Sequence, residues 1–304
     1  MSHAWSAERT LLPAEAAALV AAQFPGLAPV SARPLAAGWD NTAFLINETF
    51  VFRFPRRAVA VDLLIRESGL LPTLAPLLPV AVPVPLFCGA PTDNFPWPFA
   101  GYRLIPGRSA CQAALTAAQR LALAEPLAEF LRILHHLPTG PAVLLGIPPD
   151  PLQRIDPGKC FRRAHERLRE AHDLGLLAAA APFEALLAAA PTAYEARADA
   201  VVHGDLYARH LLLDETRHLA GVIDWGDVHL GDPACDLMLA HAFLPPAAHA
   251  AFRRAYGPIA ELPWRIARLR ALVHTLNLLV YAHDLRDEVL LRESFTALSY
   301  LAAP

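Results

Sequence analysis

Hydrophobic and polar positions follow two different spacings along the chain, and the spacing changes near residue 107. Before that point, short runs of aromatic and β-branched residues predict strands, while apolar positions at helical spacing predict helices. The predicted strands are 42–46, 50–54, 83–87 and 99–105, and the predicted helices are 13–24 and 58–71. Residues 47–49 carry a hairpin signal between the first two strands. This half of the chain is therefore predicted to form a small sheet with helices beside it.

After Gly107, long segments rich in leucine and alanine predict a mainly helical region. The predicted helices are 116–137, 159–177, 178–190 and 264–302. Pro126 is expected to kink or split the first of them, and Pro182 to break the third. A short island of strands interrupts the helices, with its members at 200–202, 211–213 and 219–223.

The order of these elements predicts an α+β fold with two lobes. A sheet-containing lobe is expected over residues 1–107, and a helical lobe over residues 108–304. A cleft is expected where the two meet, at about residue 107. Clefts between domains are frequent ligand sites, so a small-molecule ligand is expected there.

Composition and charge narrow the class of protein. The 304 residues are 55% hydrophobic and 18% charged, which is enough apolar material for a core. The net charge of −3 disfavours a nucleic-acid partner, because binding to the phosphate backbone needs a clustered basic surface. Residues 1–10 lack the pattern of a signal peptide, and no apolar run reaches the roughly 20 residues of a membrane span. We therefore expect a cytoplasmic protein without a membrane partner, and the oligomeric state stays open.

The polar residues of the strand island carry the strongest chemical signal. Asp205 follows the first predicted strand of the island, and Asp224 directly follows the last one. Carboxylates placed where buried strands end turn towards solvent, and a hairpin between them brings them to the same end. One carboxylate can then bind a divalent cation while the other accepts a proton from a hydroxyl. Phosphoryl transfer needs little more, because its catalysis is mostly positioning and charge neutralisation.

The position of a third residue sharpens this interpretation. His210 lies five residues after Asp205, and Asp224 lies fourteen residues after His210. Kinases carry a catalytic aspartate, a metal-binding asparagine further along the same loop, and then a second, metal-binding aspartate. The chain follows this order with histidine in place of asparagine. Taken singly, each of these residues could also be a turn or cap residue.

The polar cluster resembles the catalytic block of the aminoglycoside phosphotransferase family. The matching residues are His203-Gly204-Asp205-Leu206, Asp224-Trp225, Gly231-Asp232-Pro233 and Asp236. Two earlier segments are similar to the family's nucleotide-positioning loop and third strand, and these are Gly38-Trp39-Asp40-Asn41 and Arg53-Phe54-Pro55-Arg56-Arg57. The resemblance spans roughly residues 35–240. It implies a bilobal, protein-kinase-like fold with a small β-sheet N-lobe and a larger helical C-lobe.

The resemblance assigns the chemistry of transfer to three residues. Asp205 is expected to be the catalytic base that orients and deprotonates the acceptor hydroxyl. His210 and Asp224 are expected to hold the divalent cation, Mg²⁺ or Mn²⁺, that bridges the nucleotide phosphates. Histidine departs from the family's asparagine here, and imidazole suits softer ions than Mg²⁺. Macrolide phosphotransferases, a branch of the same superfamily, are similar to this chain in that respect.

The resemblance also implies a nucleotide-binding set in the first lobe, residues 1–107, and a catalytic loop and acceptor site in the second lobe, residues 108–304. The family's third-strand lysine is absent, and the single lysine of the chain, Lys159, lies far from that strand. Arg53 occupies the matching strand and is expected to bind the phosphates of ATP or GTP, with Glu67 as its partner. Leu104 and Ile105 are expected to line the purine pocket and to hydrogen-bond the purine through backbone groups. Such backbone recognition does not separate ATP from GTP.

Three functions are compatible with these residues. The first is a kinase for an antibiotic-like alcohol, an aminoglycoside or a macrolide. The second is a metabolic kinase of the same fold, acting on choline, a sugar or homoserine. The third is a catalytically weak nucleotide-binding module, favoured by the missing lysine and asparagine and opposed by the retained aspartates. Cationic aminoglycosides need several carboxylates in the acceptor region. The sparse candidates there are Asp150, Asp156, Asp227 and Asp284.

The remaining polar residues are expected to have structural roles. His203 is predicted to hold the catalytic loop, and His135 and His136 to cap or to stabilise a helix end. Asp232 and Asp236 flank a proline where a helix starts, which predicts a capping role for both. The four cysteines are scattered and are expected to be buried free thiols.

Overall fold

The computed structural model describes residues 7–140, 143 and 146–303. Two compact units divide the chain, one containing residues up to Leu77 together with Ala81–Pro106. The other contains Leu78–Val80 and the chain from Gly107 onward. Most of the segment 1–10, in which no signal peptide is expected, lies outside the described residues. The assignment of nucleotide binding and acceptor binding to separate lobes stays a prediction.

A five-stranded antiparallel sheet forms the centre of the first unit. Its strands are β1 (Ala32–Ala37), β2 (Asn41–Ile46), β3 (Phe50–Pro55), β4 (Pro85–Gly89) and β5 (Phe99–Arg103). They lie in the order β1-β2-β3-β5-β4. β2 and β3 form the predicted hairpin, in which Ala43 pairs with Arg53. The turn between them is tight, because Asn47 and Glu48 both adopt positive φ angles, of 50° and 52°.

Two helices accompany this sheet, α1 (Pro13–Gln23) and α2 (Val59–Leu74). Aromatic side chains dominate the core, which contains Phe44, Phe52, Phe54, Phe95 and Phe99 together with residues of α1. β1 was not among the predicted strands. It is an edge strand that is exposed over most of its length, so its sequence lacks the apolar alternation that marks a half-buried strand.

The second unit is mainly helical, as predicted. Its helices are α3 (Ala117–Ala122), α4 (Ala124–His135), α5 (Pro157–Asp173), α6 (Ala181–Ala189), α7 (Ala234–Phe243), α8 (His249–Tyr256), α9 (Glu261–Asp284) and α10 (Glu288–Leu301). α9 is buried along most of its length and packs against α5, α7 and α10. The core of the unit lies around α9.

Three helix boundaries differ from the sequence prediction. The predicted helix 116–137 divides at Leu123, and Pro126 lies in the first turn of α4, where a missing N–H costs little. Pro182 likewise lies in the first turn of α6 and does not break it. The predicted helix 264–302 divides into α9 and α10. The side chain of Asp287 caps α10 by accepting from the N–H of Leu290 over 2.9 Å.

Short strands form two small sheets in the second unit. The strands are β6 (Arg108–Ser109), β7 (Ala200–Val202), β8 (Leu211–Leu213), β9 (Leu219–Val222) and β10 (His229–Gly231). One sheet has the order β6-β8-β9, and β7 pairs with β10 in the other. β7, β8 and β9 are the predicted island. β6 and β10 were not predicted, because they lack the apolar runs of β7 and β8: β6 is Arg-Ser, and β10 is His-Leu-Gly with one large apolar residue.

The cysteines match the prediction at three of four positions. Cys111, Cys160 and Cys235 are buried free thiols. Cys88 is exposed, contrary to expectation, because β4 is an edge strand of its sheet. Across the described ranges, no helix is both long enough and apolar enough to span a membrane.

Candidate active site

The predicted catalytic loop, residues 203–210, connects β7 to β8, and its second residue must be glycine. Gly204 has a φ of +86°, a conformation that side chains of L-amino acids rarely adopt. A Cβ atom there would lie 2.4 Å from the carbonyl oxygen of Asp227 and 2.8 Å from Nδ1 of His229. The backbone therefore turns sharply next to β10 and delivers Asp205 at the end of the buried strand β7.

A histidine from a distant helix holds the carboxylate of Asp205. Nε2–H of His274, in α9, donates to Oδ1 of Asp205 over 2.9 Å, and His274 is only 6% exposed. Burial by itself raises the pKa of Asp205, but the hydrogen bond from His274 and the nearby histidine charges lower it below its ordinary value. Asp205 is therefore ionised at neutral pH, and Oδ2 remains on a side chain that is 33% exposed.

His210 contacts both aspartates of the predicted cluster. Its Nδ1–H donates to the backbone oxygen of Asp205 over 2.8 Å, and its Nε2 lies 3.2 Å from Oδ2 of Asp224. Because a carbonyl oxygen only accepts, Nδ1 carries hydrogen and Nε2 is the nitrogen that faces the carboxylate. Burial lowers the pKa of His210, but the charge and hydrogen bond of Asp224 raise it above its ordinary value. The structure thus brings Asp205, His210 and Asp224 together.

Asp224 occupies a strained position two residues after β9. Its φ of +67° lies in the left-handed region, which is uncommon for a residue other than glycine and is enriched at functional sites. The next residue, Trp225, is fully buried and donates its indole N–H to the carbonyl of Val222 over 3.0 Å. The buried indole fixes the backbone, so the Asp224 side chain stays 46% exposed beside His210.

His203 braces the loop, as the sequence predicts. Its Nε2–H donates to the carbonyl of Ile223 over 3.1 Å, and its Nδ1 lies 3.4 Å from the backbone N of Asp205. The ring packs on Trp225 with a centroid separation of 4.7 Å and has no solvent exposure. Burial lowers the pKa of His203, so the ring is neutral and links the segments that carry the two aspartates.

Asp236 anchors the catalytic loop, and the capping role predicted for it is wrong. The residue lies inside α7, and its carboxylate accepts from the N–H groups of His203 (2.7 Å) and Gly204 (2.9 Å). His135, predicted to cap a helix end, is instead buried and lies between Asp236 (3.2 Å) and the hydroxyl of Tyr256 (2.8 Å). Side chains from α4, α7 and α8 therefore fix the start of the loop.

Asp232 and His136 both lie at helix ends, as the sequence predicts. Asp232 accepts from the N–H of Ala234 over 2.8 Å at the start of α7, which is a capping contact, and also from the hydroxyl of Tyr194 over 2.7 Å. His136 lies at the end of α4, where Nδ1 bonds the carbonyl of Arg132 over 2.7 Å. Both residues therefore stabilise helix ends.

Asp236 leads to a prediction about acid stability. Burial raises the pKa of this carboxyl group, but the hydrogen bond and charge of His135 and the loop N–H groups lower it below its ordinary value. Its contribution is therefore present above about pH 4, the unfolded value, and is lost as pH falls through the lower folded value. Asp236→Asn should cost about 1–3 kcal/mol of unfolding free energy at pH 7, because its amide NH₂ cannot accept from the loop.

Urea denaturation of the parent and Asp236→Asn at a series of pH values from 7 to 3 tests this prediction. The difference in unfolding free energy should shrink as the pH falls. Asp173→Asn makes the same change at a side chain that is 81% exposed and is the matched control. A difference that stays constant down to pH 3 would contradict the assignment.

Arg53 and Glu67 form a buried ion pair in the first unit. Nη1 of Arg53, in β3, lies 2.7 Å from both carboxylate oxygens of Glu67, in α2. The two side chains are 9% and 5% exposed, so the pair is almost completely desolvated. The partnership is the one expected from the sequence, and the role of the pair in nucleotide binding stays a prediction.

Leu104 and Ile105 directly follow β5. The N–H of Leu104 donates to the carbonyl of Thr49 over 2.8 Å, so this donor is used within the sheet. Purine recognition by the Leu104 N–H, which the sequence analysis allows, therefore does not fit the fold. The carbonyl of Leu104 and the backbone groups of Ile105 are the remaining candidates. Both side chains are partly buried.

The carboxylates considered for a cationic acceptor are largely engaged by the protein itself. Arg154 forms ion pairs with both Asp150 and Asp227. Asp156 caps α5 by accepting from the N–H of Lys159 over 2.7 Å. Asp284, the last residue of α9, is exposed. The structure therefore does not gather these four residues into one acidic pocket.

Two important residues were not found from the sequence. His274 is separated from Asp205 by 69 residues, and Arg154 from Asp227 by 73. Each lies in a helix or turn where a single polar residue carries no spacing signal of its own. Helical periodicity could have shown His274 on the mostly apolar face of a buried helix, since a polar residue there needs a partner.

Comparisons with known proteins agree with this geometry. A family model described as the phosphotransferase enzyme family, APH, matches residues 31–272. The match supports a kinase-type phosphotransferase. The chain belongs to the APH family. No curated protein matches the chain.

Solved structures show the same fold. The GDP complex of wild-type aminoglycoside 2′-phosphotransferase-IIIa is 25% identical, with a TM-score of 0.69 over 96% of this chain and 99% of that one. A GDP and kanamycin complex of APH(2″)-IIIa is also 25% identical, with a TM-score of 0.68 over 93% and 97%. Macrolide 2′-phosphotransferase MphH from Brachybacterium faecium is 23% identical, with a TM-score of 0.60 over 96% and 99%, and shows the fold alone.

Proposed function

We propose that the protein transfers the γ-phosphoryl group of ATP or GTP to a hydroxyl of a small-molecule acceptor, with Asp205 as the base. One observation carries the proposal. His274 holds one oxygen of Asp205, while His210 and Asp224 place a nitrogen and an oxygen 3.2 Å apart beside it. A proton acceptor and a pair of cation ligands on one loop are the parts that phosphoryl transfer requires.

The chemistry assigns one role to Asp205. The acceptor oxygen forms a bond to the γ-phosphorus as the bond from that phosphorus to the β–γ bridging oxygen breaks, and the nucleoside diphosphate leaves. The hydroxyl proton passes to Oδ2 of Asp205, because Oδ1 is bound to His274. A carboxylate with a lowered pKa is a weak base. That is sufficient when positioning of the hydroxyl, and not proton removal, supplies most of the catalysis.

His210 and Asp224 fit a divalent cation that binds with the nucleotide. Within the described ranges, no group of three or more His, Cys, Asp or Glu side chains is arranged to hold a metal. Two protein ligands are nevertheless sufficient for Mg²⁺, which keeps several waters and substrate phosphates as ligands. Nε2 of His210 already points at Oδ2 of Asp224, and Nδ1–H is fixed by the Asp205 carbonyl. When bound, the cation neutralises charge on the phosphates.

Arg53 is proposed to bind a nucleotide phosphate from its place in β3, with Glu67 orienting its guanidinium group. Arginine suits this task because it is permanently charged and offers several donors in a fixed plane. The related aminoglycoside phosphotransferase structures contain GDP, which supports a guanine nucleotide as one co-substrate. Recognition of the purine through backbone groups at Leu104 and Ile105 would allow ATP as well.

The proposal also concerns which class of alcohol accepts the phosphoryl group. The related structures belong to an aminoglycoside phosphotransferase bound to kanamycin and to a macrolide phosphotransferase, which supports an antibiotic-like alcohol as the first candidate. Most carboxylates of the acceptor region already bind other groups of the protein. This favours the second candidate, a metabolic kinase. Asp150 and Asp227 both form ion pairs with Arg154, so they are less available to a polycation.

A transfer assay tests the proposed function. The protein is incubated with γ-labelled ATP or GTP, with Mg²⁺ or Mn²⁺, and with panels of aminoglycosides, macrolides and metabolic alcohols, including anionic ones. Transfer of label to an acceptor, abolished in Asp205→Asn, would support the proposal and identify the acceptor class. Nucleotide binding without transfer to any acceptor would instead indicate the third function, a catalytically weak binding module.

His210→Asn is expected to change the metal preference. Imidazole nitrogen is a poorer ligand for Mg²⁺ than for Mn²⁺, so the parent should work at least as well with Mn²⁺ as with Mg²⁺. The amide oxygen of asparagine should shift the ratio of the two rates towards Mg²⁺ while turnover is retained. His172→Asn is the matched control, because it makes the same substitution at an exposed residue of α5. Identical metal preference in parent and variant would remove His210 from the proposed ligands.

A further inference from the structure

A buried arginine of α9 differs from the other buried arginines of the described chain because it has no acidic partner. Arg270 is 9% exposed, and its Nε is buried without a hydrogen-bond partner among the described residues. None of the described carboxylates forms an ion pair with it. The other buried arginines are each paired with acidic side chains. These pairs are Arg53–Glu67, Arg120–Glu293, and Arg154 with Asp150 and Asp227.

The missing partner is significant because a guanidinium group is always charged and carries five N–H donors. Burying a charge without a counter-charge or acceptors is costly, and proteins rarely do so. An arginine retained under these conditions is stabilised when a ligand supplies the acceptor. A flat cation with paired donors recognises a carboxylate or a phosphate particularly well.

Arg270 lies near the histidine that holds the proposed base. It precedes His274 by one helical turn on the same face of α9, and His274 donates to Asp205. The positive charge of Arg270 contributes a lowering effect to the pKa values of His274, of Cys160 in α5 and of Cys235 in α7. The thiol of Cys235 lies 3.8 Å from the carbonyl oxygen of Gly204, the residue before Asp205. These neighbours place the arginine next to the start of the catalytic loop.

The carboxylates of this region are held by groups other than Arg270. Asp150 and Asp227 share Arg154 as their ion-pair partner, and the carboxylate of Asp236 accepts from the loop N–H groups and lies 3.2 Å from Nε2 of His135. Asp205 is engaged by His274. None of these four carboxylates forms an ion pair with Arg270.

We propose that Arg270 binds an anionic group of the acceptor, a carboxylate or a phosphate, while the acceptor hydroxyl reaches Asp205. The inference rests on the proposed kinase function and names its substrate class. Four residues, about 6 Å along the helix axis, separate Arg270 from His274. The acceptor is therefore a small molecule whose hydroxyl and anionic group are a few bonds apart, such as a hydroxy acid or a sugar phosphate. Such an acceptor belongs with the metabolic candidate.

Thermal unfolding with three matched probes tests this binding site. Glycerate presents a carboxylate, glycerol 3-phosphate presents a phosphate, and glycerol is their neutral counterpart. At saturating concentration, at least one anionic probe should raise the Tm of the parent by about 2–4 °C more than glycerol does. The probe that gives the larger rise identifies the carboxylate or phosphate class.

Variants of Arg270 decide whether the response comes from this residue. Arg270→Met should abolish the anion-dependent rise, and Arg270→Lys should retain part of it, because charge remains without the planar geometry. Without ligand, Arg270→Met should be at least as stable as the parent, because it removes an unpaired buried charge. Arg268→Met is the matched control in the same helix, since Arg268 donates to the carbonyls of Leu301 and Ala303. It should keep the anion response.

Two results would overturn the proposal. One is the absence of an anion-dependent rise in the parent, and the other is an equal rise in the parent and Arg270→Met. ATP and GTP are titrated with Mn²⁺ in the same experiment. Nucleotide stabilisation without an Arg270-dependent anion response refutes the acceptor class alone. Absence of nucleotide stabilisation refutes the kinase function itself.

Discussion

Asp205→Asn is expected to lower turnover by about 10² to 10⁴ while leaving nucleotide affinity close to that of the parent. An amide cannot take the proton of the acceptor hydroxyl. Asparagine nevertheless keeps the size of the side chain, and its oxygen can still accept from Nε2–H of His274. The loop should therefore stay folded, because its anchoring contacts run through the backbone of His203 and Gly204. Initial rates under saturating nucleotide, together with nucleotide titration, measure both quantities.

Controls for this experiment separate chemistry from folding. Asp173→Asn repeats the substitution at an exposed residue of α5 and should leave turnover unchanged. His274→Gln keeps an N–H donor near Asp205, whereas His274→Phe keeps the ring without the donor. If His274 positions the base, His274→Gln should lose less turnover than His274→Phe, with little change in nucleotide KM. Turnover of Asp205→Asn equal to that of the parent would exclude Asp205 as the base.

The fold class and family could be predicted because their signals are local in sequence. The β2–β3 hairpin, the strand island and the long apolar helices each depend on periodicity within a short window. The predicted helix boundaries were less accurate where a capping side chain or a proline in the first turn determines where a helix begins, as at Asp287 and Pro126. Edge strand β1 escaped prediction because exposure removes the alternation on which prediction depends.

The three residues proposed for transfer could be predicted because they are close in sequence. The residues that hold them in place could not be predicted. Asp205, His210 and Asp224 lie on a loop and a hairpin within 20 residues of each other, so short-range geometry brings them together. The contact between His135 and Asp236 spans 101 residues, and that between His274 and Asp205 spans 69. These contacts depend on how α4 and α9 pack, which no local pattern specifies. The capping role predicted for Asp236 was wrong because a helix start does not reveal what lies opposite it.

Arg53→Ala is expected to weaken nucleotide binding by about 10- to 100-fold, since a lost hydrogen bond to a charged group costs about 1.5–3 kcal/mol. It should also lower the free energy of unfolding by about 3–5 kcal/mol, because Glu67 is then left buried without its cation. Arg53→Lys should retain partial function, since charge remains but the planar geometry is lost. Nucleotide titration and urea denaturation measure the two effects on the same samples.

The double variant Arg53→Ala/Glu67→Leu separates the two roles of the pair. Removing both charges eliminates the uncompensated carboxylate, so most of the lost unfolding free energy should return. Nucleotide affinity should stay as low as in Arg53→Ala if the guanidinium contacts the phosphates. If the pair is only structural, the double variant should regain affinity together with stability. That recovery would mean that another residue holds the phosphates, and the arginine in β3 would not replace the missing lysine.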